Sequence, residues 1–202
     1  MSFTLSEIAN HPEITTWNIT LPEGEGLLLR PLVAQDVDLL AHFLLGLSPR
    51  TRDFHSYPSY DMKEARELCD AINRYDKLRF VLTSENGQRI VGIFEFSFGL
   101  PEGDKQRFLK YHLQLTEKDY CRFGPCLSDD YQRKGIAPIV FPYLIGIARD
   151  FDKKYIILWG GVRTDNHSGI KFYEKNGLRA LGKFFNQDGT ESLDMILTIP
   201  AP

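Results

Sequence analysis

Hydrophobic and polar positions recur along this chain with a period that changes from stretch to stretch, and each change marks a predicted element. Behind Asp36, the residues Leu39, Leu40, Phe43, Leu44 and Leu47 repeat at helical spacing, which predicts an amphipathic helix over 35–47 with an acidic cap. Ser48 and Pro49 end it. Ala65, Leu68, Cys69 and Ile72 share one face of a second helix, predicted over 62–75. The runs 78–83 and 90–98 are rich in β-formers and are joined by Glu85-Asn86-Gly87, a strong turn signal, so they predict an antiparallel hairpin. A charged stretch, 100–118, then reads as an insertion with a helix around 104–111, after which 120–127 returns as a strand.

From Gly135 the period becomes helical again. Ile136, Ile139, Val140, Tyr143, Leu144, Ile147 and Ala148 line one face of a long helix running to Phe151, with a kink predicted at Pro142, which has no N–H and crowds the carbonyl four residues back. Residues 155–159 form a nearly all-apolar strand of the kind buried on both faces. A short helix over 166–176 and a closing hairpin, 178–185 with 192–199, complete the pattern. Residues 1–26 read as an N-terminal extension, with a strand at 16–21 that turns through Pro22 to Gly26 into the first core strand, and 27–202 as one domain. This order of elements predicts a mixed α/β sheet.

Composition narrows the function classes. With 43% hydrophobic and 25% charged residues among 202, disordered, collagen-like and coiled-coil chains are excluded. A net charge of -3 argues against a nucleic-acid partner, which calls for a clustered cationic face. The three cysteines, Cys69, Cys121 and Cys126, cannot form a complete disulfide framework and read as buried thiols in a reducing compartment; no metal is expected from their spacing. The first residues carry neither a cationic start nor an apolar core, and no run of roughly 18 apolar residues occurs, so a cytoplasmic protein without a membrane partner is expected.

The chemistry concentrates where a strand ends at Leu127, passes through Ser128-Asp129-Asp130-Tyr131, and enters Gln132-Arg133-Lys134-Gly135-Ile136-Ala137 at the start of the long helix. Consecutive peptide units turning about a glycine allow several N–H groups to converge, and the helix adds the positive end of its dipole, which suits a pyrophosphate. An ordinary strand-to-helix turn with a solvated basic pair would carry the same residues. A second motif, Asn166 to Leu178 with Tyr173 and Gly177 inside it, follows the next strand. Together, in this order, the two resemble the Q/R-x-x-G-x-G/A signature and the N-x-x-(S/A/G)-x-x-x-Y-x-x-x-G-(F/L) helix of the GNAT superfamily of N-acetyltransferases, and the likeness covers roughly residues 27–199.

The resemblance implies a single GNAT-like domain: a mostly antiparallel mixed sheet of about seven strands, splayed at the centre, with helices on both faces. It implies acetyl-CoA as cofactor and direct attack by a primary amine of a small molecule or peptide, in a monomer or homodimer. By position, Cys126 and Leu127 would offer main-chain contacts to the pantetheine arm. Gln132, Arg133, Lys134, Gly135, Ile136 and Ala137 would hold the pyrophosphate, Asn166 would steady the pantetheine, and Tyr173 would protonate the departing thiolate. The sequence departs from the family twice. Pro125 stands where relatives offer an N–H to the thioester carbonyl, which predicts a bulge through Gly124 and Pro125 that turns the Cys126 N–H into its place. Cys121 stands where some relatives carry a glutamate base, so Glu95 is the substitute candidate, with His55 and His112 behind it. A catalytically weak acyl-CoA sensor and a nucleotide-binding module are the competing readings. Acceptor specificity is expected from 50–60 and 100–118.

Overall fold

The computed structural model describes residues 3–55, 57–70 and 77–200. Its strands are β1 (Trp17–Thr20), β2 (Gly26–Pro31), β3 (Lys77–Ser84), β4 (Arg89–Ser97) and β5 (Tyr120–Leu127), then β6 (Tyr155–Leu158), β7 (Val162–Arg163), β8 (Arg179–Phe185) and β9 (Glu191–Thr198). They form one mixed sheet in the order β1-β2-β3-β4-β5-β6-β9-β7, with β8 on β9. The helices are α1 (Leu5–Asn10), α2 (Val37–Gly46), α3 (Pro49–Asp53), α4 (Met62–Cys69), α5 (Glu102–Leu109), α6 (Ile136–Asp150) and α7 (His167–Lys175). Among the described residues nine strands stand where about seven were expected; the smallest, β7, has two residues and no periodicity to reveal it. The described residues pack as two compact units, one within 3–95 and 125–140 and one within 96–124 and 141–200, so β4, β5 and α6 each contribute to both.

In the first unit, β1 pairs antiparallel with β2, Trp17 opposite Leu29, and β2 pairs with β3. Arg30, near the end of β2, grips Asp36 with two bonds of 2.6 and 2.7 Å, and the same carboxylate accepts the Val33 N–H, which fixes the entry into α2. The apolar face read from the sequence is the buried one: Leu40, Ala41, Phe43, Leu44 and Leu47 pack with Ala65, Leu68 and Cys69 of α4 and with Val81, Ile90, Ile93 and Cys126. Ser48 and Pro49 do more than end α2. Ser48 caps α3, its Oγ accepting the Thr51 N–H at 3.2 Å, and Pro49 takes the first turn, where its missing N–H costs nothing. The expected continuation of α4 to Tyr75 lies outside the described residues.

In the second unit, β5 and β6 pair in parallel from Tyr120 opposite Tyr155 to Phe123 opposite Leu158. The insertion folds around α5, whose Phe108 is fully buried with Leu100, Leu115, Tyr120, Ile157 and Ile196. Charges tie it down: Arg107 meets Asp194 at 2.8 Å and Asp104 at 2.9 Å, and Tyr111 donates to the fully buried Asp194 at 3.1 Å. Pro142 lies inside α6, which runs 15 residues as one helix.

Candidate functional site

Between β5 and α6 the backbone leaves ordinary territory twice within three residues. A 3-10 turn over Asp129–Tyr131 leads to Gln132 in an extended conformation, then Arg133 at φ 63° and Gly135 at φ 72°, and α6 begins at Ile136. Two left-handed residues in one tight turn bring its N–H groups to the mouth of α6, whose N-terminal end adds partial positive charge, a combination suited to an anion. A Cβ built on Gly135 would meet nothing within 4 Å, so space lies open at that point, as close approach of a phosphate requires. Arg133 is no glycine, and holding it left-handed costs roughly 1 kcal/mol or more. Arg133, Lys134 and Gly135 are exposed, while Ile136 is buried and pins the helix start. Lys134 sits 4.3 Å from the centre of the Tyr131 ring, and Arg89 pairs with Asp130 at 2.7 Å.

This conformation is held from beneath. The Asp129 carboxylate accepts the Ser48 N–H at 2.9 Å, the Ser48 hydroxyl at 2.6 Å and the Thr51 hydroxyl at 2.7 Å. Partial burial works against its ionised form, but the bonds from Ser48 and Thr51 outweigh it and hold its pKa below the usual aspartate range. Gln132 donates through Nε2 to Thr51 Oγ1 at 3.0 Å and to the Leu127 carbonyl at 3.1 Å. Its amide is thus a brace between α3, the strand end and the turn. Neither Asp129 nor Thr51 is among the residues expected to hold the cofactor, because a tie between residues 78 positions apart leaves no local pattern.

Strand β5 contradicts the expected bulge. The Phe123 carbonyl accepts from the Trp159 N–H just past β6, so residue 123 points its backbone toward β6, whereas the Ser128 N–H donates to Val91 of β4 at 2.9 Å. Backbone direction in a strand alternates residue by residue, and positions 123 and 128, five apart, belong on opposite sides when no residue is inserted. The alternation is therefore intact, and a one-residue bulge would have broken it. Cys126 then faces β4, as its carbonyl does, 3.4 Å from the position a Cβ on Gly92 would take. Its N–H is not turned to the open side. Pro125 and Leu127 point away from β4, which explains why proline is tolerated: its absent N–H is one that the β4 ladder never needed. The Pro125 carbonyl on that side meets His55 Nε2 at 3.0 Å, while His55 Nδ1 meets the Thr51 carbonyl at 2.7 Å.

Glu95 is 8% exposed and engaged at both oxygens, by Arg79 Nε at 2.6 Å and by the Tyr57 hydroxyl at 3.3 Å. Burial, with the Glu95 charge beside it, raises the Tyr57 pKa well above the phenol range, and burial also raises Glu64, against the pull of Arg79. A carboxylate so occupied anchors its neighbours, and the expected role of Glu95 as base is not favoured by this arrangement. Burial pushes the Cys126 thiol far up and those of Cys69 and Cys121 up to about 12, so all three are inert at neutral pH. His112 is exposed at φ 59° in the second unit. In that unit too, Asn166 caps α7, its Oδ1 accepting the Gly169 N–H at 3.0 Å, and Tyr173 lies buried on the same helix against Phe172.

A mixed sheet whose fifth strand runs through an N–H-lined turn into the head of a long helix is the framework of one large group of acyl-transfer proteins, and the chain belongs to it: residues 47–178, more than half of the chain, match the acetyltransferase (GNAT) family. An acetyltransferase of Pseudomonas aeruginosa is 30% identical over 140 residues, covering 66% of this chain and 65% of that protein's own length. Among solved structures, the GNAT domain of S. lividans PAT superposes with a TM-score of 0.69 at 16% identity, over 93% of this chain and 98% of that one. The ribosomal-protein-S5-alanine acetyltransferase of Vibrio fischeri gives 0.68 at 13% identity, over 92% and 100%. AAC(6')-Ib, solved with ribostamycin and coenzyme A, gives 0.66 at 15%, over 85% and 93%. These three are similar in fold.

Proposed function

We propose that the protein is an N-acetyltransferase that binds acetyl-CoA at the turn between β5 and α6 and passes the acetyl group to a primary amine of a small molecule or peptide by direct attack. The observation that carries this reading is the turn itself: left-handed Arg133 and Gly135, open space at Gly135, and the head of α6 behind them. Its donor set is main-chain N–H and two exposed cations, which fits a pyrophosphate. Leu127, turned away from β4 at the strand end, supplies main-chain contacts to the pantetheine arm, and Arg133 through Ala137 hold the phosphates. Gln132 braces the turn, and Cys126 contributes through packing. Asn166 fixes the head of the helix that carries Tyr173, whose phenol protonates the leaving thiolate, two groups of comparable basicity. Bound acetyl-CoA supplies the activated acyl group.

On the acceptor side, the reading assigns recognition to 50–60 and 100–118. The latter borders a groove of about 740 Å³ in the second unit, lined by Arg107, Lys110, Tyr111, Lys183 and Phe184 among others. Neighbours in fold differ widely here: by their names one acts on a ribosomal protein's alanine, another was solved with an aminoglycoside. No helix among the described residues is long and apolar enough to cross a membrane.

The absence of an N–H at Pro125 and of an acid at Cys121 favours a second reading, a weak enzyme or acyl-CoA sensor. A thermal melt with CoA, acetyl-CoA and ATP, followed by a panel of amines assayed for released CoA, separates the two. Stabilisation by CoA but not ATP, with turnover on some amine, supports the enzyme; stabilisation without turnover across the panel supports the sensor; no stabilisation by CoA overturns both.

A further inference from the structure

Resting on the acetyltransferase reading, we propose that His55 is a catalytic residue: its Nε2–H supplies the hydrogen bond to the thioester oxygen that the backbone of Pro125 cannot give. Attack of an amine on a thioester places negative charge on the carbonyl oxygen, and a donor aimed at that charge is commonly among the largest contributors to rate. Main-chain N–H groups on the open side of β5 are the ready source, and they occur at alternate residues. At the end of the strand these residues are 125 and 127. Proline at 125 has no N–H, and the Cys126 N–H is turned toward β4, so the strand has a gap in its row of donors.

His55 fills that gap in space. Its Nε2 lies 3.0 Å from the Pro125 carbonyl, on the side away from β4, and its Nδ1 lies 2.7 Å from the Thr51 carbonyl. Both partners are carbonyl oxygens, which only accept. A neutral imidazole carries a single N–H and satisfies one of them; a ring protonated on both nitrogens satisfies both. A nitrogen that faces a carbonyl oxygen serves it by carrying the hydrogen, so Nε2 is placed as a donor beside the residue whose own N–H is missing. The ring is also fixed in place: Tyr57 stacks on it at 6.3 Å between centres and 5° between planes, and the Tyr60 hydroxyl donates to its backbone carbonyl at 2.9 Å. As charge develops on the thioester oxygen, the Nε2–H of the fixed ring is shared between the Pro125 carbonyl and that oxygen; a second acceptor joins the hydrogen bond, and no proton or covalent bond changes hands.

The experiment reads the ring first. In ¹⁵N-labelled protein, with His55 assigned by its loss in His55→Gln, Nε2 should bear a hydrogen, and the Nε2–H resonance should move on addition of acetyl-CoA but not of CoA, which lacks the carbonyl. His55→Gln should bind acetyl-CoA with unchanged affinity by calorimetry and lose about 10²-fold in kcat. Pro125→Ala restores an N–H on the same side of the strand; placed in the His55→Gln background it should recover at least about tenfold, a rescue that mere packing by His55 would not allow. An Nε2 without a hydrogen, a resonance indifferent to the acetyl group, wild-type kcat in His55→Gln, or a double variant no faster than the single one would each overturn the proposal. Should wild type acetylate no amine, the acetyltransferase reading falls, and the ring spectra still decide whether His55 meets the acetyl group.

Discussion

Asp129→Ala tests whether the turn is a binding site built on its support or only a connector. The carboxylate receives three hydrogen bonds, from the Ser48 N–H, the Ser48 hydroxyl and the Thr51 hydroxyl, at 2.6 to 2.9 Å. Each is worth about 0.5–1.5 kcal/mol net, and because Asp129 is exposed, water replaces part of what is lost, which places the sum near 1.5–2 kcal/mol. For a slope of about 2 kcal/mol per molar in urea, the midpoint should fall by roughly 0.7–1 M. The lost tie also frees the turn that carries Arg133 and Gly135, so the affinity for CoA, by calorimetry on the folded variant, should drop about tenfold, or roughly 1.4 kcal/mol. Asp129→Asn keeps acceptor oxygen without the charge and should lie between the two. The pH dependence has a defined sign. The folded pKa is lowered from the ordinary 3.8, so the charge contributes stability above that value and the contribution vanishes as pH falls through the lowered one; the gap between wild type and Asp129→Asn should close in that acid window. A variant that loses the expected stability yet binds CoA as wild type does would refute the link between this support and the cradle.

Gly135→Asp should fold, since its Cβ enters open space and the left-handed φ of 72° adds only about 1–2 kcal/mol of strain, and should abolish the CoA-induced thermal shift, because a carboxylate then occupies the anion position; an undiminished shift would remove the turn from the site. Tyr173→Phe should leave CoA affinity intact and slow turnover about 10²- to 10⁴-fold where chemistry limits the rate, so unaltered turnover would leave Tyr173 a packing residue. Glu95→Gln should cost about 3–5 kcal/mol in urea unfolding, by leaving the buried Arg79 charge without its partner. A stable Glu95→Gln protein with collapsed turnover would instead restore Glu95 as the base.

The elements that periodicity announces are the ones in which burial follows a single face. Leu40, Phe43, Leu44 and Leu47 form such a face, and the bounds of the strand 120–127 agree with the sequence reading although Gly124 and Pro125 interrupt its β-formers. β7 escaped notice since two residues carry no period, and its pairing with β9 is set by the chain that follows it. Part of the site was legible for the same local reason. Gly135 announces a left-handed residue before a helix, but Arg133, equally left-handed, does not, because nothing in its side chain asks for φ 63°; the strain is borne by the Asp129 and Gln132 ties around it. Those ties reach residues about 80 positions away, beyond any pattern a local reading can use.

Pro125 shows how a correct reading of one residue can lead to a wrong structure. The missing N–H is certain from the sequence, and a bulge is a sound local remedy, but only if the strand itself must make good the loss. Whether it must depends on which side each peptide faces, and that is fixed by partners elsewhere: Val91 holds Ser128 on the β4 side, and the Trp159 N–H holds Phe123 on the other. With the alternation pinned at both points, a bulge would have to break one of these bonds or leave a buried group unpaired, at about 1–3 kcal/mol. Regular pairing costs less, because the absent N–H falls on the side the β4 ladder does not use, and only a ligand on that side would need a donor from outside the strand. His55, 70 residues earlier in the chain, is in position to supply one.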